Sequence, residues 1–343
     1  MIDFAALPLA ANIAAFAATG VVIGLGGWRL ARVAARVAKR TGLGEAVTGA
    51  LFLGATTSLP GSVTSMSAAA SGHAEIAVAN ALGGIAAQSA FLALADLAYP
   101  RANLEHAAAS AANIMQGAML VCLLALILIA MHGPPIAVWG VHPVSVLLPV
   151  AYVFGLRLVS AAHQQPMWQP EQTEETRADT PQPQLRFTGL ARLWTEFLAL
   201  AALVGTAGWV LARSGIALSR QSGLSETAVG GVFTAVTTSL PELVTAIAAV
   251  RQGALTLAVS DIIGGNVFDT LFVAVSDLFY REGSILHAVG ERQAFLVSVA
   301  LLQAGVLLMG LVHREKRGIA NIGFESVLVL GAYVVAVVYV MGW

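Results

Sequence analysis

The amino-acid sequence predicts an all-α polytopic membrane protein: ten transmembrane helices as two inverted five-helix repeats, with proline breaks in the second and seventh helices. Three observations predict it. Of 343 residues, 57% are hydrophobic and 11% charged, with a mean hydropathy of +0.79. A soluble domain carries about 25% charged residues, so this chain cannot cover a soluble surface. Apolar stretches of about 20 residues, the length that a hydrocarbon core of about 30 Å demands, recur along the whole chain. A shift of 181 positions overlays residues 42–99 on 223–280 without a gap, with 23 identities in 58 positions. Shared apolar composition does not produce that many.

The first candidate span covers about 5–34. Its start, "MIDFAALPLAANIAAFAATG", has no basic n-region and runs on too long for a signal peptide, so it reads as a spanning helix. Four more candidates follow at about 43–70, 75–98, 103–131 and 135–160. Cys122, the only cysteine, lies in "MLVCLLALILIAM", where it reads as helix filler. There is no disulfide framework and no thiolate metal site. Residues 161–189, "AAHQQPMWQPEQTEETRADTPQPQLRFTG", are rich in Pro, Gln and acids with nothing to bury, and read as a flexible linker. It separates a first half, 1–160, from a second, 190–343, whose candidate spans are about 190–213, 224–250, 254–279, 285–312 and 320–342.

Orientation follows from Lys and Arg. With the N-terminus outside, the cytoplasmic segments hold 14 of them and the outer segments 4, namely Arg213, Arg220, Arg281 and Arg292. The expectation is a multi-pass protein of the inner or plasma membrane with a cytoplasmic 161–189 linker. A net charge of −1 gives no electrostatic basis for nucleic-acid binding, and the partner implied is the lipid bilayer. The two copies of the repeat fall on spans 2–3 and 7–8. Five spans is an odd number, so the second copy enters the membrane from the opposite side, as in many secondary transporters.

Each copy holds a proline inside a span, Pro60 and Pro241, within the shared run "TTSLP". Proline removes one intrahelical hydrogen bond, and backbone freed at membrane depth is tolerated where it lines a cavity or an ion. Thr57, Ser58, Thr238 and Ser239 add hydroxyls next to each break. The glycine pairs Gly83-Gly84 and Gly264-Gly265 allow close helix approach. Glu242 directly follows Pro241, and Asp269 lies within its span, about 22 Å from the start at residue 254 at 1.5 Å per residue. A carboxylate at such depth costs roughly 2.5 kcal/mol or more, which makes it a functional candidate. Oxygen donors of these kinds suit a hard cation. Asp96 and Asp277, near helix ends, read as solvated interfacial residues, and Glu45 and Glu226 as first-turn residues complementing the helix dipole. The seven histidines show no metal-ligand spacing and read as solvated. "GLGGW" at 24–28 follows no strand, so no nucleotide cofactor is implied.

With the repeats laid out, the chain resembles the cation/Ca²⁺ exchanger superfamily, the family of sodium/calcium exchangers. The signature repeats of that family read approximately G-T-S-x-P-E…G-N-x-x-G-S-N-x-x-[ND]. "TTSLPELVTAI…SDIIGGNVFD" matches well and "TTSLPGSVTSM…ANALGGIAAQ" is a degraded copy. The resemblance implies cation antiport, usually Ca²⁺ against Na⁺ or H⁺, through a site on helices 2, 3, 7 and 8 past which helices 1 and 6 slide. It carries cation binding to Thr238, Ser239, Glu242 and Asp269 in the second repeat, and to Thr57, Ser58 and Gln88 in the first. Asp261, Asn80 and Asn266 are further candidates. The cations would be substrates, with no cofactor, and the chain would not be an enzyme, since no nucleophile–base pair is present.

The departures bear on the ion. Gly61 replaces the acid that would mirror Glu242, Gly84 and Gly265 replace the frequent Ser, and Ile85 replaces the first signature Asn. Ca²⁺ takes six to eight oxygens, normally with more than one carboxylate. Two close acids in a low dielectric tend to share a proton and hold a monovalent ion. Na⁺/H⁺ exchange therefore competes with Ca²⁺ transport, with a passive cation pathway or a non-transporting sensor as a further alternative.

Overall fold

The computed structural model describes residues 3–41, 54–97, 99, 102–164, 168–171, 173, 189–316, 318 and 323–342. Among these there is no β-strand. The long helices are α1 (Leu9–Thr41), α2 (Leu59–Ala70), α3 (Ala74–Leu97), α4 (Ala111–His132), α5 (Pro143–Gln164), α6 (Leu190–Ser222), α7a (Glu226–Thr238), α7b (Leu240–Arg251), α8 (Leu255–Phe279), α9 (Glu291–His313) and α10 (Phe324–Met341). Eight are long and apolar enough to cross a membrane, and α7a with α7b, bent by 41°, makes a ninth span. The candidate at 43–70 and the linker at 161–189 fall partly outside the described residues, as does Glu45.

Local sequence chemistry sets the boundaries, and several differ from the apolar ruler. The candidates at 103–131 and 285–312 each divide into a one-turn helix, Leu104–Ala107 or Ile285–Ala288, followed by the span proper. The divisions come where a new helix start is capped. Ser110 Oγ accepts from the Asn113 N–H, and the Gly290 N–H donates to Gln293 Oε1. Both α1 and α6 outrun their apolar stretches, because helix continues past the hydrophobic edge wherever Arg side chains can reach water. Two three-residue turns, with Gly72 at φ +81° and Gly253 at φ +80°, reverse the chain between α2 and α3 and between α7b and α8. These left-handed positions account for the two glycines.

Contacts at the ends of α3 and α8 recur at the offset of 181. Asp96 accepts from the Leu104 N–H (2.6 Å) and from Ser326 Oγ (2.9 Å). Asp277 accepts from the Ile285 N–H (2.7 Å), from Ser145 Oγ (2.6 Å) and from the His142 N–H (2.7 Å). Both aspartates are 0% exposed, which corrects the expectation that they are solvated. Their charge is held by donors from the following turn and from a helix of the other half. His106 and His142, each 6% exposed, are also buried rather than solvated. A His106 ring nitrogen donates to the Arg314 carbonyl, and His142 Nδ1 accepts from the Val144 N–H.

The same offset governs the packing of α1 and α6. A methyl group at Gly27 would overlap Pro241, and one at Gly208 would overlap the Pro60 carbonyl. Each of these long helices thus runs against the proline of the other half, with no side chain between them.

Candidate cation site

The site forms where the chain leaves helical geometry ahead of each proline. Ser239 (φ −93°, ψ 4°) separates α7a from α7b, and Ser58 (φ −82°, ψ 3°) precedes α2. Each break lies two residues before its proline, which sits in the first turn of the next helix, where its missing N–H is harmless. Thr57 Oγ1 donates to the Gly54 carbonyl and Thr238 Oγ1 to the Ala235 carbonyl, both at 3.2 Å.

Glu242, in the first turn of α7b, is 1% exposed, and Asp269, on α8, is 2% exposed. Thr57 lies beside the Glu242 carboxylate and Ser58 beside Asp269. Gln88 Nε2 donates to Asp269 Oδ2 at 2.6 Å and to Ser239 Oγ at 3.3 Å. The small residues permit this convergence. A methyl at Gly84 would sit 3.6 Å from Ser239 Oγ and 3.8 Å from Asp269 Oδ2, and one at Gly265 would sit 3.2 Å from Gln88 Oε1. Among the described residues, both Glu242 oxygens, Asp269 Oδ1, Ser58 Oγ and Gln88 Oε1 are buried without a hydrogen-bond partner. The charges acting on Glu242 are those of Asp269 and Asp261, both negative. Carboxylate, hydroxyl and amide oxygens gathered around two buried acids form a surface that a cation completes. Among the described residues no group of three or more His, Cys, Asp or Glu side chains gathers in metal-binding geometry.

The further candidates are bonded elsewhere. Asn80 donates to the Gly61 carbonyl (3.2 Å) and Ser65 Oγ (2.9 Å) and accepts from Thr234 Oγ1 (2.8 Å). Asn266 donates to Ser89 Oγ at 3.0 Å, and Asp261 accepts from Thr245 Oγ1 at 3.2 Å. Sequence reasoning overlooked Phe272, whose ring occupies the space beside Gly61. A methyl at Gly61 would lie 2.9 Å from Phe272 Cε2 and 3.6 Å from Thr238 Oγ1. Phe272 matches Phe91 across the repeat, but an aromatic identity between two apolar helices carries no sign of what it packs against.

A helical bundle whose broken spans surround buried, unpaired carboxylates is a multi-pass membrane protein built to handle ions. The chain matches the sodium/calcium exchanger protein family over residues 11–158 and 192–342, and it belongs to that family. It is 31% identical over 118 residues to the sodium/calcium exchanger MaX1 of Methanosarcina acetivorans, a match covering 34% of this chain and 32% of that one. The chain thus matches about a third of the length of that curated relative. The native structure of YfkE is similar, with a TM-score of 0.63 at 15% identity, over 95% of this chain and 91% of that one. The sodium-calcium exchanger NCX_Mj gives 0.58 at 18% identity, over 97% and 99%. At such identities the likeness is one of fold.

Proposed function

We propose that the protein is a secondary active cation antiporter that exchanges Ca²⁺ for Na⁺ or H⁺ by alternating access. In this reading the chain is ten spans in two inverted five-helix repeats, 1–160 and 190–343, joined by a cytoplasmic linker, with the N-terminus outside and the protein in the inner or plasma membrane. The cation binds near the midplane between the helix breaks, held by Glu242 and Asp269 with Thr57, Ser58, Thr238, Ser239 and Gln88. The helices α1 and α6, which meet Pro241 and Pro60 through glycine, are the surfaces that slide. One observation carries the reading: two buried carboxylates, Glu242 and Asp269, with no ion-pair partner among the described residues. Carboxylates in that state need either protons or a cation.

The ring of Phe272 beside Gly61 favours a second reading, Na⁺/H⁺ exchange. Where the first repeat would supply a second glutamate it has Gly61, the Phe272 ring of the second repeat fills the space beside it, and the centre keeps two acids. Uptake of Ca²⁺ and Na⁺ into proteoliposomes under imposed Na⁺ and H⁺ gradients separates the readings. Gradient-driven Ca²⁺ uptake supports the first, and Na⁺/H⁺ exchange without Ca²⁺ supports the second. Ion movement that follows only its own gradient refutes both.

A further inference from the structure

Asp261 and Asn80 occupy matching positions of the two halves, and their surroundings differ. Asn80 is 2% exposed and saturated, with three hydrogen bonds to Gly61, Ser65 and Thr234. Thr64 beside it is 0% exposed and bonds the Pro60 and Gly208 carbonyls. That side of the bundle is sealed, and α3 is buried continuously from residue 76 to residue 93. In the second half Thr245 takes the place of Thr64. Its hydroxyl lies 3.0 Å from the Glu242 carbonyl and 3.2 Å from Asp261 Oδ2, and both Thr245 and Asp261 are partly exposed. On this stretch of α8, Thr256, Ser260, Asp261 and Gly264 are partly exposed, and Leu257 among them is 52% exposed. A carboxylate facing hydrocarbon would be costly, so this opening is aqueous. Along α8, Asp261 stands about 12 Å from Asp269 at 1.5 Å per residue, toward the end of the bundle that carries Arg251.

We propose that Asp261 is the receiving ligand for cations that enter from the Arg251 side. It replaces part of the hydration shell at the mouth, with the Thr245 hydroxyl beside it, and passes the ion one step inward to Glu242. At the matching position of the other half stands the neutral, buried Asn80, so no counterpart of the Asp261 carboxylate stands there. The two entrances therefore differ in charge although the central site is shared. This role rests on the antiporter reading above.

The test uses the full-length protein in proteoliposomes of known sidedness, comparing wild type with D261N, D261E and T245V. The half-saturating concentration of the transported cation is measured from each side. D261N is expected to raise it about tenfold from the Arg251 side, the loss of one charged ligand, and to leave the other side unchanged. D261E restores most of the affinity. T245V keeps the charge while removing the hydrogen bond, so its effect is smaller than that of D261N. An equal change on both sides, no change on either, or a T245V effect as large as that of D261N would overturn the role of Asp261. Wild type without gradient-driven flux would instead defeat the antiporter reading itself.

Discussion

Gln88 and Asp269 are 181 residues apart in the chain and 2.6 Å apart in space, joined by an amide-to-carboxylate hydrogen bond. The offset is the one that aligns the two copies of the repeat, so each residue touches its own counterpart. Such a contact forms where an axis relating two copies passes, as the proposed inverted arrangement requires. One copy contributes the charge and the other the donor that holds it. Replacing Gln88 by Leu removes that donor, and leaving a buried acceptor unpaired costs about 1–3 kcal/mol. A Q88L protein is expected to melt several degrees below wild type in cation-free detergent and to recover part of the difference when its cation is added. Equal melting temperatures would show that the bond contributes nothing.

Glu242→Gln keeps the shape of the side chain and removes its charge. Gradient-driven flux is expected to fall at least about a hundredfold, the loss of a charge-assisted ligand at a buried centre. Expression and melting should change little, because the amide fills the same buried space as the carboxylate. Flux within twofold of wild type would remove Glu242 from the site.

The crowding at Gly61 makes a paired prediction. G61E alone drives a side chain into the Phe272 ring and should destabilise the protein by about 1–3 kcal/mol, the usual cost of overpacking. G61E combined with F272A makes room for the carboxylate and gives the centre a third acid. The double variant is expected to raise the ratio of Ca²⁺ to Na⁺ uptake. A ratio unchanged from wild type in a well-folded double variant would mean that this position does not choose the ion.

A methyl group at Gly27 or Gly208 meets a proline-containing segment of the other half. If α1 and α6 move along these contacts, G27A and G208A should slow turnover several-fold while leaving equilibrium cation binding within about twofold, because overpacking there acts on the sliding surface and not on the ligands. Loss of binding in step with turnover would place the defect in the site instead.

Glu105 offers a pH dependence away from the spans. It lies on the turn Leu104–Ala107, 1% exposed, beside the Glu325 carboxyl group. Burial, then the charges of Asp96 and Glu325, hold its pKa well above the ordinary value of 4.5. The folded protein therefore keeps a proton that the unfolded chain releases. The resulting stability is complete below 4.5 and is lost as the pH rises through the raised value. The melting temperature of wild type should decline on the alkaline side, and E105Q, which mimics the protonated side chain, should flatten that decline. Identical pH profiles for the two proteins would count against it.

Composition and the doubled "TTSLP" made the membrane class and the family legible, because both are properties of residue type and order. The expected ligands Glu242, Asp269 and Gln88 lie together because glycines on α3 and α8 let their backbones approach, and that spacing is written in the sequence. Asp96 and Asp277 were not legible in the same way. An aspartate near a helix end looks alike whether it meets water or a distant donor, and Ser326 and Ser145 lie 230 and 132 residues away. Phe272 was hidden for a similar reason, since its partner is a missing side chain. The starts at Ala111 and Glu291 escaped a hydropathy ruler because capping, not apolarity, sets them.

The crossed bonds of Asp96 and Asp277 have a consequence for the protein as a divisible object. Each carboxylate takes its serine hydroxyl from the opposite half, so neither half can complete its own corner. A half-length chain made alone would carry one buried anion short of a donor. Two half-length chains produced together would supply both missing hydroxyls to each other.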